Sequence, residues 1–411
     1  MDWFVLAVFV LTYAGMAVGR VPGLGVDRAG IALLAAIALQ AGAPRPRADV
    51  LAAIDFETLG VLFALMVVSL QFSACGFHDR CAHVLAQARL GPRALLALVV
   101  AVGGALAAVL TNDVVALALT PVLARGLIQR GLDPRPYLLG LAGALNAGSA
   151  ASLIGNPQNI LIAQHGTLGV GPFVATCAPP AVAALVLVWA VTAWVWRGAL
   201  AAPAVVPPVQ DAPPPVDRWG LAKGMIALGG MLALFLTPVD RATAALLAAG
   251  LILTSRRLQT RAVLGQVDWP LLVLFASLFV VVDALAATGT PGLLLAWARD
   301  LGLDPLSPGA VLGISLVGSN TIGNVPLVTG WLAVIGSGLG TPVPEAALYQ
   351  LSVYGTLAGN LLLIGSLANL IVADQAAGAG VRLGFLDHAR AGIPMTLLGL
   401  AAAWVWFGGM G

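Results

Sequence analysis

The sequence contains few charged residues. Lys, Arg, Asp and Glu fill 9% of its 411 positions, against about a quarter in soluble domains. Its 20 basic and 18 acidic residues leave a net charge of +2, which is too weak a positive field to indicate nucleic-acid binding. Because 60% of the residues are hydrophobic, we expect the chain to fold within a lipid bilayer.

Cysteine and histidine are also scarce. Cys75, Cys81 and Cys177 have neither the spacing of a disulfide framework nor that of a zinc site. Among the four histidines, His165 and His388 lie at the ends of predicted spans, where we interpret them as solvated loop residues. With no His/Asp/Glu cluster and no nucleophile motif, the sequence does not indicate an enzyme and predicts no resident cofactor.

Long apolar runs are abundant, and a helix needs about 20 such residues to cross the hydrocarbon core. The predicted spans are residues 3–19, 29–44, 58–75, 137–164, 173–196, 221–238, 242–254, 269–286, 347–373 and 391–408. Two further stretches, 94–128 and 308–340, carry polar residues at their midpoints and are predicted to be re-entrant hairpins. These polar residues are Thr111, Asn112 and Asp113 in the first stretch, and Ser319, Asn320, Thr321 and Asn324 in the second.

The basic residues support this topology, because short cytoplasmic loops carry most of the Lys and Arg. With the N-terminus outside and both hairpins in place, only Arg45, Arg47, Arg241 and Arg299 lie on the outer side. Interpreting 94–128 as a single span would weaken the bias. The sequence thus predicts an all-α polytopic membrane protein with about ten transmembrane helices and two re-entrant hairpins, in the cell inner membrane.

The two halves of the chain resemble each other. Ile54-Asp55-Phe56 recurs as Val267-Asp268-Trp269, the interruption at Asn112 recurs at Asn320, and Asn159 recurs as Asn369. A chance match between apolar sequences of low complexity is the alternative. Three correspondences in the same order at a nearly constant offset favour a repeat.

A proline-rich stretch, residues 198–217, separates the two copies and is typical of an extended linker. We therefore predict a first inverted repeat over 1–197, this linker, and a second inverted repeat over 218–411. Inverted repeats with interrupted helices are the pattern of secondary transporters.

Polar residues also interrupt two of the spans. In span 137–164, Gly155 permits a sharp turn and Pro157 removes an N–H, so the helix is predicted to break there. Span 347–373 is predicted to break around 365–369, although it has no proline there. Half-helix N-termini attract anions, and their C-terminal carbonyls suit Na⁺. Since none of the four interrupted segments contains Lys or Arg, dipoles and neutral donors would have to hold an anion.

Each of these polar residues has a second interpretation. A single Ser or Asn can serve only to join membrane helices by a hydrogen bond. Asp113 is either a proton carrier, since carboxylates inside the membrane are costly, or the N-cap of the helix after the break. Clustering at four interruptions favours a binding site.

Three of these segments carry a family resemblance. Residues 111–121 are similar to the first hairpin of arsenite permeases. Residues 148–159 and 359–369 resemble the two broken-helix motifs of the ion transporter superfamily. That superfamily includes arsenite/antimonite efflux permeases, divalent anion/sodium symporters, citrate transporters and certain sodium/proton antiporters, and the resemblance covers nearly the whole chain.

The resemblance implies a scaffold domain and a moving transport domain that carries both hairpins, with an elevator-like motion and commonly a homodimer. By position, Asn112 and Ser319-Asn320-Thr321 match the hairpin tips that hold sodium and substrate carboxylates in the symporters. The first tip departs from that pattern, because it has Thr-Asn-Asp where symporters have Ser-Asn-Thr. The extra carboxylate argues against a dicarboxylate substrate and two equivalent sodium sites.

The sequence therefore predicts a secondary active transporter of a small anion (an inorganic oxyanion, an arsenite-like species or a carboxylate) or of a neutral oxyacid. It would be coupled to Na⁺ or H⁺ by alternating access. The alternative is a Na⁺/H⁺ antiporter with Asp113 as the titrating group. The predicted binding residues are Thr111, Asn112, Asp113, Ser149, Gly155, Asn156, Asn159, Ser319, Asn320, Thr321, Asn324, Asn360, Ser366 and Asn369, with Na⁺ near Asn112, Asn159, Asn320 and Asn369.

Overall fold

The computed structural model describes residues 2–18, 25–201, 214–255, 259–339 and 341–409. Over these ranges it contains twenty α-helices and two short 3₁₀ turns, and no strand. The predicted all-α membrane fold is confirmed. Arg20, Arg256, Arg257 and most of the predicted linker lie outside the described residues.

The described residues of the first half form ten α-helices. They are α1 (Trp3–Val18), α2 (Arg28–Gly42), α3 (Arg47–Ala53), α4 (Phe56–Ala74), α5 (Phe77–Gln87), α6 (Pro92–Val109), α7 (Asn112–Gln129), α8 (Arg135–Ser149), α9 (Pro157–His165) and α10 (Val170–Val195).

The second half repeats this order. Its helices are α11 (Arg218–Leu234), α12 (Arg241–Leu253), α13 (Thr260–Leu264), α14 (Trp269–Ala287), α15 (Thr290–Asp300), α16 (Pro308–Thr321), α17 (Asn324–Leu339), α18 (Glu345–Ala358), α19 (Leu367–Gly378) and α20 (Phe385–Gly408).

Matching residues begin matching helices in the two halves. The Asp55 side chain caps α4 by accepting from the Thr58 N–H, and Asp268 caps α14 in the same way. Gly76, with φ +76°, precedes α5, and Gly289, with φ +69°, precedes α15. Such left-handed backbone favours glycine. The inverted orientation of the two copies and their exact boundaries stay predictions.

Within the described ranges, five helices are long and apolar enough to cross a membrane by themselves: α4, α6, α10, α14 and α20. Helices α1, α2, α12 and α17 are shorter but apolar. Helices α3, α5, α13 and α15 were not predicted. None exceeds 11 residues, which is too short to cross the hydrocarbon core.

All four predicted interruptions are present. Residues 110–111 separate α6 from α7, and residues 322–323 separate α16 from α17. Residues 150–156 separate α8 from α9, and residues 359–366 separate α18 from α19. The match of Asn112 with Asn320 needs correction, because Asn112 begins α7 and the residue that begins α17 is Asn324. Asn320 lies one residue before the end of α16.

The halves interlock around these interruptions. Helix α7 of the first hairpin packs against α19, and α17 of the second hairpin packs against α9. Each hairpin therefore contacts a half-helix from the other repeat. This exchange brings polar breaks that are distant in sequence into one buried region.

Two contacts near the helix ends agree with the predicted sidedness. Arg45, predicted on the outer side, forms an ion pair at 2.6 Å with Asp283, which lies near the C-terminal end of the predicted span 269–286. At the helix ends that are predicted to lie on the inner side, Lys223 Nζ donates to the carbonyls of Ile252 and Thr254, each at 3.0 Å.

Candidate functional site

All eight asparagines of the chain lie at or beside the four interruptions. Seven of them are buried, and Asn324 is half-buried. An amide side chain is costly to bury unless it is hydrogen-bonded. Their confinement to the breaks shows that this buried region is built around amide groups.

The first broken helix is held by its own residues. Asn156 caps α9, with its Oδ1 accepting from the Asn159 N–H at 2.9 Å, and Pro157 opens the helix. A Cβ at Gly155 would lie 2.4 Å from the Ser149 carbonyl oxygen, so the turn accepts only glycine. Asn159 Nδ2 donates to the carbonyls of Ser149 and Ser152 at 3.1 and 2.9 Å.

The second broken helix repeats one part of this arrangement and lacks another. Asn369 Nδ2 donates to the carbonyls of Gly359 and Leu362 at 2.9 and 3.5 Å, which matches the bonds of Asn159. Ser366 stands at the cap position but makes no capping bond. Its Oγ donates instead to Asn146 Oδ1 at 2.8 Å. The conformation of the second break is therefore held partly by a residue of the other repeat, whereas the first break is capped by its own Asn156.

Asn146 joins the two breaks. Its Nδ2 donates to Asn360 Oδ1 at 2.7 Å and to Asn369 Oδ1 at 3.1 Å. Asn360 Nδ2 in turn donates to the Gly143 carbonyl at 3.1 Å. Asn146, in the last turn of α8, was not among the predicted binding residues. Its central position depends on the packing of the two repeats.

A second set of bonds links α9 to α18. Ser352 Oγ donates to Asn159 Oδ1 at 2.8 Å. Thr356 Oγ1 accepts from Asn156 Nδ2 at 3.3 Å and also from Gln158 Nε2. Ser352 and Thr356 were not predicted either. They lie four residues apart on one face of α18, and this spacing was the only sequence signal for them.

The tip of the first hairpin contacts the first break. The Asn112 N–H donates to the Gly155 carbonyl at 3.0 Å, and Thr111 Oγ1 donates to Ser69 Oγ at 3.2 Å. Asn112 Oδ1 is buried and has no partner among the described residues. Asp113 follows in the first turn of α7, half-buried, with no hydrogen bond or ion pair to the described part of the chain.

The tip of the second hairpin contacts the second break. Ser319 Oγ donates to the Gly355 carbonyl at 3.0 Å. Asn320 Nδ2 donates to the Ala358 carbonyl at 2.9 Å, while its Oδ1 accepts from the Leu362 N–H at 3.2 Å.

Thr321 and Asn324, the other two predicted residues of this hairpin, differ in their hydrogen bonding. The hydroxyl of Thr321 is turned back onto its own helix and the residue is exposed, so Thr321 lies outside the network. Asn324 Oδ1 is buried without a partner in the described ranges. Asn112 and Asn324 begin matching helices, and the amide oxygen of each accepts no hydrogen bond from the described residues.

The interpretation of His388 as a solvated residue is wrong. It is 1% exposed, and its Nε2 lies 2.9 Å from the Asn360 carbonyl oxygen, to which it donates. One turn on, a Cβ at Gly392 would lie 2.6 Å from the same oxygen. Helix α20 begins at Phe385, six residues before the predicted span 391–408. Its first two turns, which carry His388 and Gly392, therefore pack against the second break.

The chemistry of the region follows from these groups. The bonds that join the four breaks come from amide, hydroxyl and backbone groups and from one imidazole. Among the described residues, no three His, Cys, Asp or Glu side chains cluster as metal ligands would. The region can bind a small polar molecule or a hard cation through neutral oxygens.

Known proteins resemble this chain along almost its entire length. It is 27% identical to a 46 kDa membrane protein of Mycobacterium leprae over 99% of this chain and 98% of that protein. It is 28% identical to the silicon efflux transporter LSI3 of Oryza sativa over 92% of each chain. The fold matches the crystal structure of the Alcanivorax borkumensis YdaH transporter, with a TM-score of 0.62 and 16% identity over 99% of this chain and 96% of that one.

The match to a family model is also extensive. The citrate transporter model matches residues 6–348, a range that includes both hairpins, the first broken helix and the start of the second. The homologues are transporters and not enzymes. The chain is a multi-pass membrane transporter and belongs to the citrate transporter family.

Proposed function

We propose that this transporter carries a small inorganic oxyacid, neutral or anionic, and couples its movement to Na⁺ or H⁺. The single observation that carries the proposal is the matched pair of unpaired amide oxygens, Asn112 Oδ1 and Asn324 Oδ1, at the two hairpin tips. A buried acceptor without a donor is costly. A ligand that brings O–H groups or positive charge would relieve that cost.

An oxyacid fits this demand better than a carboxylate does. Protonated oxyacids present several O–H donors, and a fully ionised carboxylate presents only acceptors. Sites for carboxylates commonly use a bidentate arginine, and no arginine contributes a bond to the network described above. The similarity to a silicon efflux transporter supports the same substrate class.

Na⁺ binding is proposed at Asn112, which was a predicted position, and at Asn324 in place of the other three predicted positions. The Oδ1 atoms of Asn159, Asn320 and Asn369 each already accept a hydrogen bond, from Ser352, Leu362 and Asn146 respectively. The oxygens of Asn112 and Asn324 accept none from the described residues. The other predicted binding residues would then hold the breaks in shape around the ligand.

The remaining parts of the proposal rest on the family resemblance. Alternating access would move the hairpins and broken helices as one body against the other helices, in an elevator-like motion. A homodimer in the cell inner membrane is proposed on the same ground.

Counterflow in proteoliposomes tests the proposed function. Vesicles containing the purified protein would be loaded with silicic acid, arsenite, phosphate or citrate, under Na⁺ or pH gradients applied separately. We expect exchange of an oxyacid, abolished by Asn112→Ala and by Asn324→Ala, with Gln129→Ala as the control because that amide is exposed. Exchange of citrate alone, or full activity in both asparagine variants, would refute the proposal.

Asp113 favours a second candidate, a Na⁺/H⁺ antiporter. Its carboxylate makes no hydrogen bond or ion pair with the described part of the chain and follows Asn112 directly. A carboxylate inside a membrane domain is commonly a proton or cation carrier. Addition of Na⁺ to acid-loaded vesicles would then dissipate the pH gradient in the wild type but not in Asp113→Asn. A gradient unchanged by Na⁺ in the wild type would exclude antiport.

A further inference from the structure

Two arginines occupy matching places in the repeats. Val26-Asp27-Arg28-Ala29 recurs as Val239-Asp240-Arg241-Ala242, and Leu-Leu-Ala-Ala follows at the same distance in both copies. Each arginine is the first residue of its helix, α2 or α12. The preceding aspartate caps that helix in both copies, at 3.0 Å and 2.7 Å. The matching caps fix both arginines at the same point of their helices.

Arg241 binds the C-terminal end of the half-helix α9. Its Nη1 donates to the Ala163 carbonyl at 2.9 Å and to Gln164 Oε1 at 3.2 Å, and its Nη2 donates to the Leu168 carbonyl. A guanidinium at this end of a helix satisfies unpaired carbonyls and complements the helix dipole.

Arg28 contacts its own half of the chain at Met16 and the other half at Gly323. Its Nε donates to the Met16 carbonyl at 3.2 Å. Its Nη1 reaches the tip of the second hairpin, where a Cβ at Gly323 would lie 3.0 Å from it. The two matched arginines therefore touch unmatched partners, a half-helix end and a hairpin tip.

We propose that Arg28 and Arg241 are positioning residues that exchange these contacts during transport. In the opposite-facing state, Arg28 holds the C-terminal carbonyls of α19, and Arg241 lies at the tip of the first hairpin, near Thr111. The proposal rests on the alternating access of the proposed function. Alternating access is largely a rigid-body movement between parts related by a pseudo-two-fold axis. Moving the hairpins and half-helices together past the two matched arginines therefore exchanges the two kinds of contact. Each state keeps one contact of each kind, so neither state is strongly favoured.

The predicted sidedness then assigns the state described here. Arg28 belongs to the inner side, and the second hairpin enters from the outer side. A hairpin tip that reaches Arg28 has therefore moved toward the cytoplasm. This structure is the inward-facing state.

Cross-linking tests the exchange without any substrate and leaves both arginines in place. With the three native cysteines replaced by alanine, one pair is Gly30→Cys with Ile322→Cys, and the other is Thr243→Cys with Thr111→Cys. In vesicles treated with a short bis-maleimide, we expect both pairs to cross-link. In a chain carrying all four cysteines, forming the first cross-link should prevent the second.

Two substitutions give opposite shifts if the proposal holds. Arg241→Gln removes the multiple bonds of this state, so the yield of the Thr243/Thr111 cross-link should rise relative to the other pair by about tenfold, as for loss of a charged hydrogen bond. Arg28→Gln should lower that ratio by a similar factor. Arg241→Lys should keep the ratio of the two cross-links closer to the wild-type value than Arg241→Gln does. Arg299 is exposed and is predicted on the same side as Arg241, so Arg299→Gln should leave the ratio unchanged.

Several results would overturn the exchange. They are absence of the Thr243/Thr111 cross-link, formation of both cross-links in one molecule, or shifts of the same sign in the two glutamine variants. Absence of the Gly30/Ile322 cross-link would remove the Arg28 contact itself. Because these measurements need no substrate, a wild type that exchanges no oxyacid would refute the proposed function separately.

Discussion

Asn146 joins the two broken helices, and its replacement by alanine is the sharpest perturbation of the site. Three side-chain hydrogen bonds would be lost, those to Asn360 and Asn369 and the one from Ser366. Hydrogen bonds between membrane helices average about 0.6 kcal/mol, with a maximum near 1.7. We therefore expect Asn146→Ala to lower the free energy of unfolding by about 2 kcal/mol, with an upper limit near 5.

Unfolding in mixed micelles, followed by circular dichroism as the denaturing detergent fraction rises, measures this loss. Gln129→Ala is the control, since its amide is exposed and it should change stability little. A double-mutant cycle with Asn360→Ala isolates one bond and should give a coupling of about 0.6 to 1.7 kcal/mol. A loss below about 0.5 kcal/mol in Asn146→Ala, within the range of ordinary surface substitutions, would show that the network does not hold the breaks together.

Two further predictions concern close packing at the breaks. His388→Gln keeps a donor for the Asn360 carbonyl and should retain more transport than His388→Ala; equal activity in both variants, measured by counterflow, would contradict a positioning role. Gly148→Ala would put a Cβ 2.2 Å from the Gly104 carbonyl oxygen, so the yield of folded protein on size-exclusion chromatography should fall sharply. Gly229→Ala is the control and should be tolerated, because a Cβ there meets open space. Equal yields of the two variants would refute the steric argument.

Much of the architecture could be predicted from the sequence because its signals are local. Apolar length marks a span, and proline with glycine marks a break, so the interruption at Gly155 and Pro157 was evident from the chain alone. The hairpins followed from a polar group at the midpoint of a long apolar run. The short helices α3 and α5 were not predicted, because they are neither long nor continuously apolar.

The contacts between the repeats depend on packing that no local pattern encodes. Ser352 and Thr356 lie on a helix face without a break signal, and only the approach of α18 to α9 turns them into partners of Asn159 and Asn156. His388 is a polar residue near a helix end, a position that sequence reasoning assigns to solvent.

The sequence by itself determined that this chain spans a bilayer and that four polar interruptions divide its helices, because hydrophobic length and backbone breaks are properties of consecutive residues. Only the tertiary structure decided that Asn146 lies at the centre and that Arg28 and Arg241 bind different ends. Those outcomes depend on which helix faces meet, and the partners of Asn146 lie more than two hundred positions away in the sequence.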